Sequence, residues 1–127
     1  MSVQQPRVLM IEDCQIAQKV AKYLFNQLDC TLDLASSGVD GITLAETHDY
    51  NLLIVDVGLP DMSGIEAIEH LLASKSKYRQ TPIIALTAHD DDGYKKNCLS
   101  AGFTSYYCKP LTRASACEMI ALSHNNR

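Results

Sequence analysis

Four short apolar runs in this 127-residue chain stop abruptly at residues whose side chains can do chemistry. Val8-Leu-Met-Ile11 ends in Glu12-Asp13, Leu52-Leu-Ile-Val55 in Asp56, Pro82-Ile-Ile-Ala-Leu86 in Thr87, and Ser105-Tyr-Tyr-Cys108 in Lys109. If those ends lie side by side, three carboxylates converge with a hydroxyl and an ammonium. Crowded carboxylates resist joint ionisation unless a positive charge joins them. An all-oxygen set suits a hard cation, so Mg²⁺ is expected rather than zinc. His48, His70, His89 and His124 lack ligand spacing to one another, and the isolated cysteines show no zinc pattern. A carboxylate can also attack phosphorus and form an acyl phosphate. In that chemistry Asp56 makes the bond, Glu12 and Asp13 hold the cation, Lys109 neutralises phosphoryl charge and Thr87 supplies a hydrogen bond. Each residue alone has a plainer reading: Asp13 as a helix cap, Thr87 as a structural strand end, Lys109 as a solvated lysine. Their joint occurrence at the ends of four runs is harder to explain that way.

The elements that must position these groups follow from the patterning. Continuous apolar runs closed by an acid read as strands buried on both faces. Ile16, Val20, Leu24 and Leu28 recur every four residues among polar ones, as in an amphipathic helix. Thr31 to Ala35 alternates and suits an edge strand. Ser37 and Asp40 are first-turn groups of a second helix whose inner side carries Ile42 and Ala45. Residues 58–64 form a loop, and Ser63 with Glu66 resembles a capping box ahead of a third helix facing inward through Ile65, Ile68 and Leu72. Residues 75–80 are polar and read as solvated. A weaker helix spans Asp90 to Ala101, carrying Gly93 and ending at Gly102. The last helix begins near Thr112, turns Ala116, Met119 and Ile120 inward, and frays from His124. This β-α order, repeated five times without a linker, predicts one α/β domain over 1–127, with its core in 7–122 and a parallel sheet covered on both faces. Functional groups in such sheets gather at the carboxyl ends of the strands.

Composition sets outer bounds. Apolar residues make up 46% and charged ones 20%, a balance typical of globular rather than disordered chains. Eleven basic and fifteen acidic residues give a formal charge of -4, and no Lys/Arg stripe exists to track a phosphate backbone, so direct nucleic-acid binding is not expected. The cysteines, Cys14, Cys30, Cys98, Cys108 and Cys117, are odd in number and unpatterned, which favours reduced thiols. No long apolar run follows Met1 to Arg7, so cytoplasmic placement without membrane contact is expected, although a segment of a membrane-attached protein would read identically.

The motifs together resemble the receiver domains of response regulators and hybrid sensor histidine kinases, from Arg7 to about Leu122. They are Leu9-Met-Ile-Glu-Asp13, Ile54-Val-Asp56, Leu59-Pro60 with Met62-Ser-Gly64, Leu86-Thr-Ala88, and Tyr106 through Lys109-Pro110. The resemblance implies a (βα)5 doubly wound, flavodoxin-like parallel sheet in order 2-1-3-4-5. It implies phosphoryl transfer from a histidine kinase or histidine phosphotransfer domain to Asp56. Mg²⁺ would be held by Asp13, Asp56 and the Gly58 carbonyl, with Glu12 acting mainly through water. Thr87 and Tyr106 would form a switch reshaping the face of the fourth helix, fifth strand and fifth helix, which is also where a homodimer would form. A static core role for Tyr106 is the alternative. The Lys109-Pro110 bond resembles the family's cis peptide. Gly58 and His89 occupy the two positions that tune autodephosphorylation, although His89 could equally be a solvated residue. Cys14 beside the acidic pair reads either as a reactive thiol or as a small packing residue. The wording of the loop and of Leu86-Thr-Ala-His89 is most similar to receivers of hybrid kinases.

Three other functions compete with a phosphoreceiver. A pseudo-receiver binding partners without chemistry would be free to lose one of Glu12, Asp13, Asp56, Thr87 or Lys109. An aspartyl phosphatase needs a second acid two residues after the first, where Gly58 stands. A nucleotide or flavin protein of this architecture needs a glycine-rich loop after the first strand, where Glu12-Asp13 stand instead.

Overall fold

The computed structural model describes residues 5–74, 76–88 and 92–125. Five strands, β1 (Arg7–Ile11), β2 (Thr31–Ala35), β3 (Leu52–Asp56), β4 (Ile83–Thr87) and β5 (Ser105–Cys108), alternate with α1 (Gln15–Gln27), α2 (Gly38–Thr47), α3 (Gly64–Ser74), α4 (Asp92–Ala101) and α5 (Arg113–Asn125). The sheet is parallel throughout, in order β2-β1-β3-β4-β5. This is the flavodoxin-like arrangement expected from the sequence. The chain leaves β1 toward one edge and returns through β3 to the other, so a crevice opens between the carboxyl ends of β1 and β3.

Strand alternation divides the core in two. Leu9, Ile11, Leu53, Val55, Ile83 and Ala85 point to the face covered by α2, α3 and α4. Val8, Met10, Leu52, Ile54, Ile84 and Leu86 point to the face covered by α1 and α5. Burial on both faces explains why these strands read as unbroken apolar runs. The half-exposed β2 alternates because it lies at an edge.

Local signals set most helix ends. Ser37 Oγ accepts the Asp40 N–H at 3.1 Å and caps α2. Ser63 Oγ accepts the Glu66 N–H at 3.1 Å while Glu66 reaches back to the Ser63 N–H at 3.4 Å, a capping box before α3. Thr112 and Ser115 exchange the same kind of bond ahead of α5. That helix continues through Asn125, past the point where fraying was expected. Gly102 follows α4 with a φ of +122°, a region that favours glycine.

Two readings of the interior are corrected. Of the α1 residues expected to form its apolar face, Leu24 and Leu28 pack half-buried against the core, but Ile16 is 75% and Val20 42% exposed, while Ala21 and Phe25 are fully buried. Ala17, Ala21 and Phe25 form a second four-residue stripe, one position along. The sheet selects that stripe because a small Ala21 allows close approach and Phe25 then fills the space beside it. Residues 75–80 were read as solvated, yet Ser76–Gln80 is a short 3₁₀ helix that drives Tyr78 into the core. Its hydroxyl donates to the carbonyl oxygens of Ala45 and His48 at the end of α2, so the phenol is buried with its polar tip satisfied.

Candidate active site

The sheet order sets the end of β1 beside the end of β3. Glu12, Asp13 and Asp56 each bring a carboxylate oxygen within 4.8 Å of the others. Glu12 is 0% and Asp56 5% exposed, whereas Asp13 faces solvent. Lys109, leaving the end of β5, sets its Nζ 3.0 Å from Glu12 Oε1 and 3.1 Å from Asp56 Oδ2. One ammonium therefore serves two buried carboxylates, with a third at the rim. Three negative charges against one positive leave a formal excess of two negatives.

The environment separates the two buried acids. Burial pushes the Glu12 carboxyl above its ordinary range, and neighbouring Asp56 adds to this despite the Cys14 N–H and Lys109. Burial acts on Asp56 in the same direction, but the Gly58 N–H, Glu12 and Lys109 outweigh it and hold Asp56 below its ordinary range. Burial works against the charged form of Lys109, yet its two carboxylate partners hold that lysine above its usual value. Of the two buried acids, Glu12 is therefore the more readily protonated and Asp56 the more firmly ionised.

Hydrogen bonds fix the frame. Gly58 N–H donates to Asp56 Oδ1 at 3.0 Å, and the Cys14 N–H to Glu12 Oε2 at 3.1 Å. Cys14 occupies the N-cap of α1 without a side-chain cap, so Asp13 is not the helix cap that its position allowed. The Lys109-Pro110 peptide is cis. Gln18, a polar residue of α1, donates to the Glu12 carbonyl at 2.6 Å and to Ser36 Oγ at 3.1 Å, tying the acidic turn to the end of β2. No spacing rule marks such a contact, because its partners lie on separate elements.

The donor set also fits a cation. Among the described residues, Glu12 Oε1 is the buried side-chain oxygen or nitrogen outside the hydrogen-bond network; its partner is the Lys109 ammonium, which Asp56 shares. A buried anionic oxygen left so is costly unless a further positive partner arrives. Gly58 keeps the mouth open, since a Cβ there would meet no atom nearer than Asp56 Oδ1 at 3.8 Å.

Thr87 is fully buried at the end of β4, one residue beyond Leu86, the register partner of Asp56. Half-buried Tyr106 is in register with Ala85 and packs on the α2–α4 side of the sheet. Thr87, two residues after Ala85, therefore points to the same face as Tyr106. His89 lies outside the described residues.

The profile of the response regulator receiver domain family matches residues 8–121. The chain belongs to that family. Its fold has a TM-score of 0.86 to the chemotaxis response regulator CheY4 of Vibrio cholerae, at 21% identity over 94% of this chain and 99% of that one. The receiver domain of the sensor histidine kinase PA1611 from Pseudomonas aeruginosa PAO1, described with magnesium in its active-site cleft, is 30% identical. That comparison has a TM-score of 0.83 and covers 95% of this chain and 97% of that one. Among longer relatives, the histidine kinase BarA of Escherichia coli K12 is 33% identical over 82% of this receiver and 11% of its own length. The transcriptional regulatory protein HprR of the same organism is 35% identical over 84% and 46%. The receiver thus spans less than half the length of these relatives. It is a phosphoacceptor domain of the phosphorelay type, closely related to the receivers of hybrid sensor kinases, and its acidic cluster lies at the strand ends where the family's chemistry is placed. No described helix is long and apolar enough to cross a membrane.

Proposed function

We propose that this receiver accepts a phosphoryl group on Asp56 from the phosphohistidine of a histidine kinase or histidine phosphotransfer domain. The carrying observation is that buried Asp56 sits 3.1 Å from the Lys109 ammonium with the carboxylates of Glu12 and Asp13 gathered beside it. A carboxylate oxygen of Asp56 attacks phosphorus, the bond from phosphorus to the imidazole nitrogen breaks, and that nitrogen keeps the electron pair. Lys109 then exchanges its contact with Asp56 for one with a phosphoryl oxygen, and the Thr87 hydroxyl donates to another. Mg²⁺, held by Asp13, Asp56 and the Gly58 carbonyl, with Glu12 mainly through water, would supply charge neutralisation and orientation.

Movement of Thr87 toward the new phosphoryl group frees space on the face it shares with Tyr106. Inward rotation of Tyr106 then reshapes the α4-β5-α5 surface, through which a homodimer can form. Water attack on the acyl phosphate returns Asp56 and inorganic phosphate, at a rate tuned by Gly58 and His89. The receiver catalyses both of these steps on itself and acts on the cytoplasmic side of the signalling pathway. Incubation with a small-molecule phosphodonor and Mg²⁺ should add one phosphoryl group by intact mass to the wild type and none to Asp56→Asn. Equal labelling of both would remove Asp56 from this role.

A further inference from the structure

The loop between β3 and α3, residues 57–63, is held where it would otherwise be free. Its stem is closed by the Gly64 N–H to the Val57 carbonyl at 3.0 Å and by an isolated bridge between Gly58 and Ser63. Its tip reaches across to a different helix. The Asp61 carboxylate accepts the Gly38 N–H at 2.8 Å through Oδ1 and the Val39 N–H at 3.0 Å through Oδ2. These are two of the N–H groups that the first turn of α2 cannot satisfy internally. Beside them, Met62 lies on Gly38 so closely that a Cβ at that glycine would come within 2.5 Å of Met62 Cγ and 2.6 Å of its sulfur. Ser37 already caps α2 through the Asp40 N–H. Asp61 thus adds a second cap, delivered from the loop that carries Gly58.

We infer that Asp61 is a positioning residue for the acidic site, anchoring the Gly58 loop to the start of α2 and so setting divalent-cation affinity. The inference rests on the proposed cation site and adds to it a residue that touches neither Asp56 nor the reacting atoms. Gly58 is tied to Asp56 by its N–H and is three residues from Asp61, so release of the tip removes the polar tie that fixes this segment to the start of α2. A contact that orders ligands before the cation arrives lowers the ordering cost of binding.

The test is Mg²⁺ titration of the whole chain, followed by amide NMR shifts at Gly58 and Asp13, for wild type, Asp61→Ala, Asp61→Asn and Ser37→Ala, with thermal melts of each. Asp61→Ala should weaken Mg²⁺ binding about three- to tenfold, below the roughly 10–100-fold seen for direct ligand partners, because it acts one step further out. Asp61→Asn, which keeps an acceptor oxygen, should recover part of that loss. Ser37→Ala removes a cap from the same helix and should lower the melting temperature while leaving Mg²⁺ affinity at the wild-type value. Wild-type affinity in Asp61→Ala, or an equal loss in Ser37→Ala, overturns the inference and leaves the phosphoacceptor reading standing. Absence of Mg²⁺ binding by the wild type overturns both.

Discussion

The two ends of the sheet handle buried polar groups in opposite ways. Toward the amino ends, Tyr50 donates to Asp33 at 2.6 Å, Arg7 pairs with the same carboxylate at 3.4 Å and lies over the Tyr50 ring, and Tyr78 donates to two carbonyls. Burial and the Asp33 carboxylate push the Tyr50 hydroxyl far above its ordinary value, so it stays a neutral donor. At the carboxyl ends, Glu12 and Asp56 share the Lys109 ammonium and negative charge exceeds positive. The first arrangement is complete and needs nothing more. The second carries an excess of negative charge in the protein alone, which suits a cation, and an anionic phosphoryl group could enter it only once that excess is offset.

The contrast can be broken by substitution, beginning with the largest effect. Tyr78→Ala empties a core position and leaves two carbonyls without their donor, and should cost about 3–5 kcal/mol in denaturant unfolding. Glu12→Gln removes the under-satisfied charge at the other end. At neutral pH and without metal it should stabilise the fold by about 1–2 kcal/mol, since a buried charge short of partners is a net cost. If the proposed Mg²⁺ site is occupied, the same variant should lose much of the stabilisation expected from the ion, about 2.7 kcal/mol at a hundredfold excess over Kd.

That trade carries a pH signature. The folded-state pKa of Glu12 lies above its ordinary 4.5, so as pH falls from neutral through the raised value the folded state binds a proton before the unfolded chain does, and stability rises. The gain is complete below 4.5. Asp56 has the opposite sign: its contribution is present above its ordinary 3.8 and is lost as pH falls through the lowered folded value. Melts of wild type against Glu12→Gln should therefore differ at neutral pH and converge near pH 4.5. A constant difference across that window would remove Glu12 as the strained acid. The smallest effect is expected from Tyr50→Phe, about 1 kcal/mol, because Asp33 keeps its Arg7 partner and is partly open to water. A stabilising Tyr50→Phe would erase the distinction between the two ends.

By itself, the sequence determined the element order, the strand runs and the residues at their ends. These are local properties: a run buried on both faces must be apolar throughout, and the residue that stops it marks the strand's carboxyl end. Parallel right-handed crossovers then bring those ends together, which is why the gathering of Glu12, Asp13, Asp56 and Lys109 could be expected from the sequence. Tertiary structure alone decided that Ala21 and Phe25 of α1 are buried and Ile16 and Val20 are not, how Tyr78 enters the core from a polar stretch, and that Asp61 caps a helix 22 residues away. In each case the deciding energy lies between elements distant in the chain, so no periodicity or spacing could carry it. The sharing of one ammonium between Glu12 and Asp56 belongs with these, since it depends on the ends of three strands at once.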